Sequence, residues 1–151
     1  MPTLVINTTM SNIARKIKQI AAILSLTAIV ACNSSDDVSE IFIGNNWKLS
    51  FIEEAGVRRW PSQQSEYTLA FTANNFNATT PSGGRISGRW SANGKTREFH
   101  CSNIRAEGIG TNDTIGNRML QIFKDASTYD GDTHYLQMIK DKNHFMQFYN
   151  R

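Results

Sequence analysis

The chain has 151 residues, with 16 Lys and Arg against 13 Asp and Glu, 40% hydrophobic residues and 10% aromatic. That length holds one domain of ordinary size, and the apolar content with a net charge of only +3 excludes a disordered chain. Arg15, Lys16 and Lys18 make up the whole basic excess. The apparent pI of 9.0 therefore reports a basic head on a neutral body and gives no sign of nucleic acid.

Residues 10–32 read as a bacterial export signal. The basic stretch Arg15-Lys16-Ile17-Lys18 precedes a mostly apolar, uncharged run over residues 20–31. That run suits a signal peptide and is shorter than the ~20 residues that span a bilayer. A buried helix of the folded domain is the alternative, disfavoured because nothing polar interrupts one face and strong charges flank only its start. The run ends Ile29-Val30-Ala31-Cys32, which resembles a lipobox, with Cys32 as the acceptor of the lipid. Met10 is a more usual start for such a signal than Met1. The polar, acidic stretch that follows, residues 33–40, cannot bury enough surface to order itself and reads as a tether. Within it Ser35-Asp36-Asp37 resembles the acidic signal that sends Bacteroidetes lipoproteins to the cell surface. Three parts are expected: a signal peptide over 1–31, a lipidated Cys32 with its tether over 32–40, and one domain over 41–151. With Cys32 lipidated, Cys101 is the remaining thiol and the domain must stand on its core without a disulfide.

Most of the domain alternates with period two. Trp47, Leu49 and Phe51, then Tyr67, Leu69 and Phe71, then Ile86, Gly88 and Trp90 each define one face of a strand. Turn residues fall between, at Ala55-Gly56, Asn74-Asn75, Ser82-Gly83-Gly84, Asn93-Gly94 and Gly131. Two closing strands, near 135–139 and 145–149, are joined by Asp141-Lys142-Asn143. One segment departs: Ile115, Met119, Ile122, Phe123 and Ala126 form a single helical stripe, after the N-cap types Asn112, Asp113 and Thr114. The fold class is mostly β (α+β). It is an antiparallel β-rich sheet or partly open barrel of about seven strands, with one amphipathic helix before the last hairpin. Trp47, Phe51, Tyr67, Leu69, Phe71, Trp90, Phe99, Met119, Ile122, Phe123, Leu136, Met138, Met146 and Phe148 are the expected core.

The order of a Trp-Lys-Leu opening strand, Tyr67 to Phe71, Gly88-Arg89-Trp90 before Asn93-Gly94, a strand ending at Cys101, one helix and a closing hairpin resembles the META/HslJ-like domain of envelope lipoproteins. The similarity covers about residues 45–149. The chain departs from that family where Ser82-Gly83-Gly84 replaces its Gly-Cys-Asn and Ala106-Glu107-Gly108 its Met-x-Cys. The resemblance implies a small β-rich fold and carries no catalytic residues. A fainter resemblance is to lipocalin-like barrels, whose Gly-x-Trp is here one residue too long, Gly44-Asn45-Asn46-Trp47.

Reactive residues are few. His100 and Cys101 are adjacent on a strand, so they point to opposite faces, and Cys101 is expected as a buried structural thiol. His134 and His144 flank the closing hairpin and are expected to approach across it, yet two histidines fall short of a zinc site. Glu53-Glu54 reads as the solvated end of a hairpin, and Asp113-Thr114-Ile115 resembles a Bacteroidetes O-glycosylation signal as well as a helix cap. No phosphate loop, Gly-x-Ser-x-Gly or His-Glu-x-x-His is present. No catalytic residue, metal or cofactor is therefore expected. Arg58, Arg59, Trp60, Arg85 and Arg89 form the candidate binding loop or face, set against the plainer reading of solvated cations balanced by nearby acids.

The function expected is that of an outer-membrane lipoprotein, a non-enzymatic binding or stress-protective module held by its lipid anchor. Its partner would be an envelope protein or a surface glycan, with no role for nucleic acid. The alternative is a lipocalin-like carrier of an apolar small molecule, which needs a cavity where these aromatics would otherwise pack.

Overall fold

The computed structural model describes residues 37–150. The signal segment, the lipobox and Cys32 lie outside them. A short helix α1 (Ser39–Phe42) leads into β1 (Asn46–Glu54), β2 (Val57–Arg59), β3 (Thr68–Phe71), β4 (Asn75–Thr79), β5 (Arg85–Ala92) and β6 (Phe99–Glu107). Helix α2 (Thr114–Asp125) follows, then β7 (Thr128–Gly131), β8 (Tyr135–Asp141) and β9 (His144–Asn150). All strands join one antiparallel sheet in the order β6-β5-β4-β3-β1-β9-β8-β7, with β2 paired to the far end of β1. The sheet curls into a half-barrel until its outer strands touch. Phe99 N–H donates to Ser127 O, Tyr129 N–H to Arg97 O, and Glu98 bridges Thr128.

The mostly β, partly open barrel is as expected, and two features add to it. Nine strands form rather than seven, because β2 and β7 have three and four residues, too short for alternation to show. A second helix, α1, straddles the expected junction of tether and domain. Its Phe42 is fully buried and drops into the barrel, stacked on Trp90 at 4.7 Å and Phe99 at 5.7 Å and edge-on to Phe71 and Tyr129. Val38 and Ile41 also pack against the core.

Helix α2 forms as its stripe requires. Asp113 accepts the Gly116 N–H at 2.8 Å as N-cap, and Lys124 sits in the last turn. Met119, Ile122 and Phe123 are buried against the sheet interior, where Phe123 stacks on Phe76 at 4.7 Å. Gly88 explains the gap in its strand's apolar face. A Cβ there would stand 2.8 Å from both Phe76 Cε1 and the Ser102 carbonyl, so the aromatic ring occupies the space a side chain would need.

Phe51 corrects one expectation. Leu49 pairs with Phe148 but Phe51 with Gln147, so β1 carries a bulge between them. The extra residue reverses the alternation. Ile52 takes the inward place, opposite Met146, while Phe51 is buried on the outer side, apart from the main core. There Trp60, Phe145 and the Arg58 guanidinium cover it, with ring distances of 4.9 and 5.9 Å and a cation–ring distance of 4.5 Å.

Candidate functional site: the Trp60 cleft

The hairpin of β1 and β2 turns at Ala55 and Gly56, both with positive φ (51° and 83°), as a two-residue hairpin loop of this twist demands. The turn sets Arg58 opposite Glu53, and the two form an ion pair at 2.9 Å. Glu54 is flanked by Arg59 at 3.6 Å and by Arg118 of α2. The expected solvated hairpin end is thus a small ion-pair network, and the charge of Arg58 and Arg59 is balanced locally.

Trp60, just beyond β2, is 59% exposed although one side rests near the Phe51 ring. It stands at the rim of a cleft of about 290 Å³ between the 60–67 loop and the start of β1. The polar residues lining it include Lys48, Ser62, Gln63 and Glu66, with Tyr149 of β9 as a second ring. Lys48 Nζ donates to Glu66 Oε1 at 2.5 Å, which fixes the loop to β1. Ser62 and Ser65 share a 2.6 Å hydrogen bond within the loop. The sequence alone points only to Trp60. Lys48 and Tyr149 are brought together by pairing of β1 with β9, strands a hundred residues apart in the chain, and Glu66 by pairing of β1 with β3.

The other expected binding residues do not join this cleft. Arg85 and Arg89 lie on β5, separated from β2 by β3 and β4 in the sheet, and both are exposed. Trp90 turns inward to stack on Phe42 rather than outward beside the arginines.

The reactive candidates also fall apart. Cys101 pairs with Trp90 on the inner face and His100 with Ser91 on the outer one, so the two never converge. Burial pushes the Cys101 thiol up to about 12, which leaves it protonated and a poor nucleophile at neutral pH. His134 and His144, expected to approach each other, sit at opposite ends of the β8–β9 pair, because each precedes or opens its own antiparallel strand. His134 lies beside Asp132, and His144 Nδ1 is 2.8 Å from Asp141 Oδ1. Among the described residues no three His, Cys, Asp or Glu side chains are grouped to hold a metal ion.

Residues 33–150 match the family model described as "Domain of unknown function (DUF4847)". The chain belongs to the DUF4847 family. A crystal structure at 1.00 Å of a DUF4847 family protein from Bacteroides vulgatus ATCC 8482 is similar over 75% of this chain and 96% of that one, with TM-score 0.56 and 20% identity. An NMR structure of a protein from Burkholderia xenovorans matches 73% of this chain and 83% of that one, with TM-score 0.59 and 15% identity. At these identities the likeness is one of fold. No curated protein matches the chain. DUF4847 membership overturns the META/HslJ resemblance. Strand order, one helix and a closing hairpin are common to small antiparallel half-barrels, and the missing Gly-Cys-Asn and Met-x-Cys were the discriminating residues.

Proposed function

We propose that this DUF4847 protein is an outer-membrane lipoprotein, held by lipid on Cys32, whose domain is a non-enzymatic binding module for a surface glycan. The observation that carries the reading is the Trp60 cleft. A sugar ring presents a C–H face that stacks on an indole and hydroxyls that need hydrogen-bond partners beside it. Trp60 offers the first, and Lys48, Ser62, Gln63 and Glu66 offer the second. Contact with Phe51 restrains the exposed indole before any ligand arrives, which lowers the entropy lost on binding. The interior favours a surface site over the carrier alternative. Phe42, Trp47, Phe76, Phe99, Phe123 and Phe148, all nearly or fully buried, occupy the space a carrier would keep for its ligand. The separation of His100 from Cys101 and the pairing of Glu53 and Glu54 with arginines support a non-enzymatic reading.

The test is a titration of the full chain with neutral soluble polysaccharides (a glucan, a mannan and a galactan), followed by tryptophan fluorescence. Saturable binding with a blue shift of the exposed Trp60 is expected for at least one of them. Trp60→Ala should abolish it and Arg89→Gln should leave it intact. Unchanged binding by Trp60→Ala, or no response to any of the three, would remove the cleft as a glycan site.

A further inference from the structure

The domain treats its arginines unequally. Arg58, Arg59 and Arg118 each lie against a carboxylate of β1. Arg89 and Arg105 are in no ion pair among the described residues, and both line one open concavity of about 460 Å³ on β4, β5 and β6. Its other polar side chains are Asn75, Ser87 and Asn103. All five residues carry N–H or O–H donors, and no carboxylate lines the site.

Register explains how they meet. Asn75 pairs with Arg89, and Ser87 pairs with Arg105, so these four share the outer face of the sheet. Arg105, opposite Ser87, therefore lies diagonally across from Arg89 on that face. Between Ser102 and Arg105 the β6 strand carries a bulge, with Asn103 at φ 51°, and the added residue contributes to the same concavity. Two like charges that line one concavity repel each other. Glu107, in register with Arg85 and two residues beyond Arg105, forms an ion pair with neither. An anion seated between the forks would relieve the repulsion and satisfy several donors at once.

We infer that this concavity is a tetrahedral oxyanion site, which takes the phosphate or sulfate group of a ligand. It lies two strands from the Trp60 cleft, and its failure would leave the glycan reading untouched.

The experiment uses the full chain and inorganic phosphate and sulfate as probes, with sodium chloride at matched ionic strength as reference. Backbone amide NMR shifts should move saturably at residues 87–89 and 103–105 with phosphate and sulfate, and not with chloride. Arg89→Gln and Arg105→Gln should each weaken binding about tenfold, since each removes one charge-assisted fork. Arg58→Gln, whose charge is already paired, should bind as wild type. Equal shifts with chloride, changes spread over all cationic surface, or equal weakening by Arg58→Gln would overturn the site. A second arm distinguishes the source of the group. Binding to phosphatidylglycerol vesicles but not phosphatidylcholine, competed by phosphate and lost in Arg89→Gln, assigns it to a lipid headgroup. Phosphate binding without vesicle binding assigns it to a soluble ester.

Discussion

The phenol of Tyr67 donates a 2.7 Å hydrogen bond to Asp113 Oδ1, the same oxygen that accepts the Gly116 N–H and caps α2. One carboxylate thereby fastens the helix start to β3's leading edge. Burial first, then the hydrogen bond and charge of Asp113, holds the Tyr67 pKa far above its ordinary value of 10.0. The sign follows directly. A raised folded pKa adds stability that is fully present below pH 10 and is lost as pH rises through the folded value. Tyr67→Phe should cost about 1.5–3 kcal/mol at pH 7, as expected for a hydrogen bond to a charged acceptor. It should also flatten the alkaline loss of stability. Urea midpoints for both proteins between pH 7 and pH 11 give the comparison, and a variant with an unchanged alkaline slope would separate Tyr67 from that loss.

Helix α2 and the face it buries supply a second prediction. Phe123 is fully buried against Phe76, whereas Gln121, two positions earlier, is exposed. A helix of 12 residues is marginal alone, so its packing must supply what propensity does not. Phe123→Ala should cost about 3–5 kcal/mol through lost burial and the cavity left behind. Gln121→Ala should stay within about 0.5 kcal/mol. Equal damage in urea denaturation would mean that the helix packs by another face.

These two elements also mark what the chain discloses before folding. The α2 stripe, its Asp113 cap and the alternating strands are local patterns, and the side chains they bury are those of the core. Phe51 escaped because a bulge is set by pairing with β9, not by the residues of β1. The cleft escaped for the same reason, since Lys48 and Tyr149 meet only when the first and last strands pair. Trp60 was legible as a large aromatic beside charge and proline. The arginines were legible as residues but not as partners, because the pairing that sets Glu53 and Glu54 beside Arg58 and Arg59 decides which of them are neutralised.

Phe42 tests how the domain begins. It contacts four other rings from inside the barrel although it belongs to a four-residue helix that no periodicity announces. Phe42→Ala should cost about 3–5 kcal/mol, comparable with a central core ring. Ile43→Ala, next to it and exposed, should cost under about 1 kcal/mol. If both substitutions shifted the thermal midpoint alike and slightly, α1 would be an attachment to the domain rather than part of its core.

The anchor is tested separately from the fold. Cys32→Ala removes the proposed lipid acceptor and should leave an unprocessed precursor that takes up no labelled fatty acid in a lipoprotein-processing bacterial host. Equal label on wild type and variant would end the lipoprotein reading while leaving the domain and its cleft as described.

Tyr129 should respond to the same substitution as Tyr67 with the opposite sign. Its ring is buried, edge-on to Phe42 at 5.1 Å and under the Arg97 guanidinium at 5.2 Å. Its hydroxyl, unlike that of Tyr67, is buried with no hydrogen-bond partner among the described residues. A polar group removed from water without compensation costs about 1–3 kcal/mol, and phenylalanine keeps the ring contacts while removing that cost. Tyr129→Phe should therefore raise stability by about 1 kcal/mol, where Tyr67→Phe lowers it. Both variants can be compared in one urea series at pH 7, away from tyrosine ionisation. A loss in Tyr129→Phe as large as that in Tyr67→Phe would show that the Tyr129 hydroxyl is bonded in solution and that the barrel interior holds a polar partner for it.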